Sequence, residues 1–172
     1  TFPYFLRTVP SLLTEVTFLD DVVRNLFGYT AVAIVHSDDE FGEDSEAQFS
    51  QLAARSVNGV SVSVLLRLRI NAIVSQAYDS LHAEEYEVLL KSEARVVVIL
   101  CQAPTAGAFM SGALERGIGG SGYLWLGNNG PTDTATYTEG VLGSSSAKWR
   151  LRVMKGYFGS QPSLGVEGSR TA

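Results

Sequence analysis

Cysteine is nearly absent from this sequence. Cys101 stands alone among 172 residues, which excludes an internal disulfide framework and a multi-cysteine zinc site. Histidine is almost as scarce, with His36 and His82 the only two, and no G-x-S-x-G elbow occurs to seat a serine nucleophile. Charge is thin as well: charged residues make up 18%, and a net charge of −5 argues against the broad basic footprint of a nucleic-acid surface. No run of apolar residues is long. Val96 to Cys101 falls far short of the roughly 18–20 residues that cross a bilayer, so no transmembrane segment is expected. None of the five asparagines (Asn25, Asn58, Asn71, Asn128, Asn129) opens an N-x-S/T acceptor, which neither supports nor excludes secretion. The first residue is Thr1, with no basic, apolar and small-residue leader, and the expectation is a piece of a longer polypeptide. What is present is core material: 45% hydrophobic residues in a chain of single-domain length.

Two kinds of pattern alternate along the chain. After a short apolar opening, Tyr4 to Val9, the residues Leu13, Val16, Leu19, Val22, Val23 and Leu26 recur at helical spacing until Gly28 stops them. Tyr29 to Val35 reads as a strand that breaks into Ser37-Asp38-Asp39-Glu40. A helix is expected from about Gly42, carrying Ala47, Phe49, Leu52 and Ala53 inward. Asn58-Gly59 marks a turn, and Val60 to Leu66 the next strand. A helix at least from Tyr78 onward puts Leu81, Tyr86, Leu89 and Leu90 on one stripe. Arg95 to Cys101 is the clearest buried strand, because its apolar run shows no polar alternation. Thr105 to Arg116 reads as a helix, Tyr123 to Leu126 as a short strand, Asn128 to Thr138 as a polar loop, and Val153 to Phe158 as a last strand. The lobe is expected over 1–158, with a Gly-, Ser- and Pro-rich tail over 159–172.

Strands alternating with helices of this length imply an α/β fold: a single three-layer αβα lobe around a mainly parallel sheet. Ligands of such sheets bind outside the carboxyl ends of the strands. The search for a site therefore belongs to the loops at Pro10 to Leu12, His36 to Gly42, Arg69 to Ile73, Gln102 to Thr105 and Gly127 to Pro131.

Candidate chemistry in these loops is sparse. Gly117-Ile118-Gly119-Gly120-Ser121-Gly122 spells G-x-G-x-x-G, but it follows a helix and precedes a strand, the reverse of a dinucleotide site. It reads as a helix C-cap and loop. The acids Asp38, Asp39, Glu40, Glu43 and Asp44 lack the spacing and the closing Glu of a calcium loop, and favour a helix N-terminus instead. Gly143 to Lys148 is not a phosphate loop, and Lys148 and Lys155 are poorly placed for a receiver-type site using Asp38 and Asp39. Cys101 reads as an inert core thiol, and His36 as a partly exposed, hydrogen-bonded side chain. Arg67, Arg69, Arg150 and Arg152 read as solvated strand faces. Neither catalysis nor a metal nor a cofactor is expected.

Four strings nevertheless form one pattern. Tyr4-Phe5-Leu6-Arg7-Thr8-Val9-Pro10-Ser11 resembles the F-x-R-T-x-P-S-D opening of the second lobe in receptor-type ligand-binding domains. The stretch from Gly28 to Gly42, ending Ser37-Asp38-Asp39-Glu40-Phe41-Gly42, is similar to their G-W-x-x-V…S-D-D-E-Y-G. Ala94 to Ile99 and Tyr123 to Gly130 are similar to A-R-V-V-V-L and W-L-G-S-D-G-W. The chain thus resembles the type I periplasmic-binding-protein-like superfamily, and within it the clamshell ectodomain of metabotropic glutamate receptors and other class C G-protein-coupled receptors.

The resemblance implies an incomplete clamshell: a second lobe whose ligand would be held against a first lobe, supplied in cis or in trans. It implies an extracellular or periplasmic place in a larger membrane-linked protein, a small-molecule ligand and a possible homodimer. The ligand-facing positions it implies are Ser11, Leu12, Phe41, Gly42, Gln102, Asn128 and Asn129. Three of them depart from the amino-acid-binding branch. Leu12 and Asn129 stand where that branch has carboxylates facing an ammonium, and Phe41 keeps the ring of its Tyr without the hydroxyl. A buried ammonium without a carboxylate is costly, so the expected ligand is neutral or weakly polar. The alternative is a degenerate lobe that serves assembly.

Overall fold

A computed structural model of the chain describes residues 11–73, 78–127 and 157–159. The chain opens with α1 (Leu12–Asp21), whose first turn is capped by Ser11: the hydroxyl accepts the Thr14 N–H at 3.2 Å. The helix then widens into a π turn, Val22–Leu26, where the Phe27 N–H reaches back to the Val22 carbonyl at 3.0 Å. Val16, Leu19, Val22 and Val23 are buried as the spacing predicts, whereas Leu13 and Leu26, expected on the same stripe, are 56% and 62% exposed. The extra residue in the π turn rotates the tail of the stripe off the sheet and turns Arg24 inward instead.

Five parallel strands follow in the order β2-β1-β3-β4-β5. They are β1 (Ala31–Ser37), β2 (Ser63–Ile70), β3 (Val96–Leu100), β4 (Leu124–Gly127) and β5 (Tyr157–Gly159). Between them lie α2 (Glu40–Ala54), α3 (Tyr78–Leu81), α4 (Ala83–Lys91) and α5 (Ala103–Glu115). This is the α/β lobe expected from the alternation of patterns. β1 and β3 are central and covered on both faces, which is why neither shows polar alternation. Val32, Ile34, Val96, Val98 and Leu100 pack under α1 and α2 against Leu19, Val23 and Phe49. Their neighbours Ala33, Val35, Val97 and Ile99 pack under α4 and α5 against Tyr86, Leu89 and Phe109.

Several boundaries and faces differ from expectation. α2 starts at Glu40 rather than Gly42, because the Asp39 carboxylate caps it by accepting the Gly42 N–H at 2.9 Å. Its buried stripe is Gly42, Ser45, Phe49 and Ala53, which leaves Ala47 exposed. β2 runs to Ile70, past the expected end at Leu66. A bulge opposite Val32 and Ala33 inserts Leu65, so Val64 packs on the α1/α2 face while Leu66, Leu68 and Ile70 face α4 and α5. Leu65 itself is half exposed. Leu81 and Leu90, expected in the buried stripe with Tyr86 and Leu89, are exposed. The expected opening at Tyr4 to Val9, the loop 128–138 and the tail from 160 lie outside the described residues, as does most of the expected strand from Val153. Among the described residues, no helix is long and apolar enough to cross a membrane.

Candidate functional site

The strand order places a switch point between β1 and β3. From β1 the chain crosses to β2 through α2 on one face, and from β3 it crosses to β4 through α5 on the other. The loops that leave the two central strands therefore diverge, and a crevice opens at their carboxyl ends. One wall is Asp38 to Gly42, and the other is Cys101 to Thr105.

The first wall is tightly built. Asp39 Oδ1 accepts both the Ser37 hydroxyl at 2.7 Å and the Gly42 N–H at 2.9 Å. Gly42 lies directly on the backbone of Ser37, and a Cβ there would fall inside van der Waals contact with the Ser37 carbonyl, hydroxyl and amide. Only glycine lets α2 start so close to the strand end. Phe41 is half-buried beside it, and its carbonyl accepts the Ser45 hydroxyl at 2.6 Å. On the second wall, Gln102 is the N-cap residue of α5, exposed, with no capping bond from its side chain. Its amide is thus spent on no cap.

Of the expected site residues, Phe41, Gly42 and Gln102 flank this crevice. Ser11 and Leu12 open α1, which runs alongside α2, so they stand at the same end of the sheet. There the Ser11 hydroxyl is engaged with Thr14 as a cap, and Leu12 is half-buried against the α1/α2-face core. Asn128 and Asn129 lie outside the described residues.

Several other polar groups on these strands are held by protein partners. His36, expected to be partly exposed, is buried, because it lies on the α1/α2 face of a central strand, and its Nδ1 is 3.2 Å from the Ser37 carbonyl. Arg67 pairs with Glu46 at 2.8 Å and Arg69 with Glu43 at 2.6 Å. Glu43 holds the Arg69 guanidinium above its ordinary pKa, first by the hydrogen bond and then by its charge. These exposed pairs lie along α2, in keeping with strand-face residues. Cys101 is fully buried at the end of β3, and burial pushes its thiol well above the ordinary range. This is the core position that its setting suggested. The G-x-G-x-x-G string begins at Gly117, with φ of +81°, just past the end of α5, in keeping with a C-cap.

Sequence reasoning pointed to the loop after β2 but not to its use. Asn71 is bonded to His82, and Ala72 to both Asp38 and Thr105, residues 11 to 34 positions away along the chain. No motif connects them. The one local signal is Asn71, whose side-chain oxygen accepts the Ile73 N–H at 2.7 Å in an Asx turn.

Known proteins are similar to this chain in sequence. Over 54 residues the chain is 44% identical to taste receptor type 1 member 3 from Homo sapiens, and equally to the Gorilla gorilla gorilla protein. The matched stretch is 31% of this chain and 6% of the relative, so the chain spans a small part of that protein's length. A family model described as the receptor family ligand binding region matches residues 1–162, nearly the whole sequence. Together with the all-parallel sheet, that match makes this chain a member of the receptor family ligand-binding region, the periplasmic-binding-protein-like fold used by class C G-protein-coupled receptors.

Proposed function

We propose that this chain is a sensing lobe, not an enzyme, and that the crevice between the loops after β1 and β3 takes a small neutral or weakly polar ligand. The observation that carries the reading is Leu12. It stands at the first helical position of α1, where the amino-acid-binding branch has a carboxylate, and its side chain is spent on the core. An ammonium arriving there meets no carboxylate at position 12, and an unpaired charge in a closed cleft is costly. Phe41 supplies a ring for an apolar or sugar-like face, and Gln102 supplies an amide that can both donate and accept. Asn128 and Asn129 add two more amides by the family resemblance. The name of the taste receptors agrees with a small-molecule ligand.

The lobe works within a larger extracellular receptor domain, closing against a first lobe in cis or in trans, with a homodimer as a further level of assembly. Ligand acts by binding the closed arrangement better than the open one. The test is calorimetric titration of the two-lobed receptor domain with uncharged sugars and amides, with glutamate and glycine as charged counterparts. Saturable binding of an uncharged probe that is lost in Phe41→Ala supports the reading. Saturable micromolar binding of glutamate or glycine overturns the neutral-ligand assignment. Absence of binding by every probe favours a lobe retained for assembly.

A further inference from the structure

Between β2 and α3 the chain turns through Asn71, Ala72 and Ile73. Because β2 is the outer neighbour of β1 and the chain must next reach β3, this corner passes over the carboxyl end of β1. All three of its backbone N–H groups have protein acceptors. Asn71 donates to His82 Nε2 at 3.2 Å, Ala72 to Asp38 Oδ1 at 2.8 Å, and Ile73 to Asn71 Oδ1 at 2.7 Å. The Ala72 carbonyl accepts the Thr105 hydroxyl at 2.7 Å, and the Asp38 N–H donates to the Ile70 carbonyl at 2.8 Å.

Ala72 is thus gripped at both of its backbone polar groups, from opposite walls of the crevice. Asp38 belongs to the loop after β1, and Thr105 to the first turn of α5 after β3. Asp38 is exposed and Thr105 is buried. A surface corner with no such role would leave these groups to water at little cost. We propose that Asp38 and Thr105 are positioning residues that set the width of the crevice by tying its two walls through Ala72. The loops after β1, β2 and β3 then move as one unit, and the ligand meets walls placed in advance, which lowers the ordering cost of binding. The functional meaning rests on the crevice being the ligand site; the tie itself does not.

The test is amide hydrogen exchange on the full chain, without ligand, in Thr105→Val, Thr105→Ser, Asp38→Ala and Asp38→Asn. Thr105→Val keeps the side chain's shape and removes the donor. It is expected to speed exchange about tenfold at Ala72, the equivalent of one lost hydrogen bond. Exchange over 39–43 is expected to rise with it, although the Thr105 hydroxyl bonds to Ala72 and not to that wall, while Val97 to Ile99 in β3 stay protected. Thr105→Ser restores protection, and so does Asp38→Asn, which keeps the acceptor oxygen. Asp38→Ala matches Thr105→Val, and the double variant adds little, because both hold the same residue.

Unchanged exchange over 39–43 in Thr105→Val overturns the tie between the walls, and fully additive effects overturn the shared grip. If Thr105→Val also exposes the β3 amides, Asp38→Ala decides, since its side chain lies outside the core: a rise over 103–106 supports the tie, and none overturns it. A failed ligand titration leaves these outcomes untouched, so the two readings fail separately.

Discussion

Removing the guanidinium of Arg24 tests how the base of the lobe is held. The π turn carries this side chain into the protein, where the residue is 6% exposed. Its Nε lies 2.9 Å from both oxygens of Asp20, one helical turn earlier. Nη1 donates to the Val60 carbonyl at 2.6 Å, and Nη2 donates to the carbonyls of Leu52 at 2.8 Å and Ala53 at 2.9 Å. One cation therefore ties α1 to the last turn of α2 and to the hairpin turn that leads into β2. It also sits where the α2 macrodipole is negative. Arg24→Met keeps most of the stem and strands the Asp20 carboxylate and three carbonyls. Breaking a buried pair from one side costs about 3–5 kcal/mol, a large fraction of the roughly 5–15 kcal/mol that holds a domain together. For a chain of this size that lowers Tm by roughly 6–20 °C. Arg24→Lys recovers only part, since an ammonium cannot span a carboxylate and three carbonyls spread over three segments. Thermal and urea unfolding followed by circular dichroism measures the loss. Adding Asp20→Leu to Arg24→Met recovers the ionic part of the cost and leaves that of the carbonyls. A loss below about 1 kcal/mol in Arg24→Met, or a double variant worse than the single by the full cost of a second site, refutes this account.

Gly42→Ala pushes a methyl into the backbone of Ser37 and is expected to cost about 1–3 kcal/mol, read as a lowered Tm, with faster exchange over 39–43 where α2 begins. Burial raises the Cys101 thiol above its ordinary 9.0 and, with Asp79 nearby, the Tyr86 phenol above its ordinary 10.0. The unfolded chain therefore ionises first, so these groups contribute full stability below those ordinary values and lose it progressively as pH rises above them toward the raised folded values. Urea midpoints are expected to fall between about pH 9 and 11, and Cys101 to resist iodoacetamide in the folded chain at pH 8 but not in urea. Alkylation at equal rates in both states would contradict the burial.

Much of the fold was legible in the chain. Val96 to Cys101 could only be a strand covered on both faces, because nothing in it tolerates water. The alternation of strand and helix patterns implied parallel crossovers, and four short strings carried the family. The placement of some candidate site residues was legible too: Phe41, Gly42 and Gln102 fall where chain reversal follows a central strand, and local composition marks such places. The bulge at Leu65 was not legible, since an inserted residue changes the face of a strand without changing its apolar content. Nor was the burial of Arg24, a charge that reads as solvent-facing until its acceptors from Leu52, Ala53 and Val60 are brought around it.

By itself the sequence determined the α/β class, the central strands, the caps and the loops that can hold a site. All of these follow from interactions within a few residues, where apolar periodicity, side-chain caps and glycine geometry act locally. Only the tertiary structure decided the strand order, hence the crevice between β1 and β3, and the joining of Asp38, Ala72 and Thr105 across it. Those contacts link residues 33 and 34 positions apart. Their partners are chosen by how two layers of helices pack on one sheet, and no local pattern records that choice.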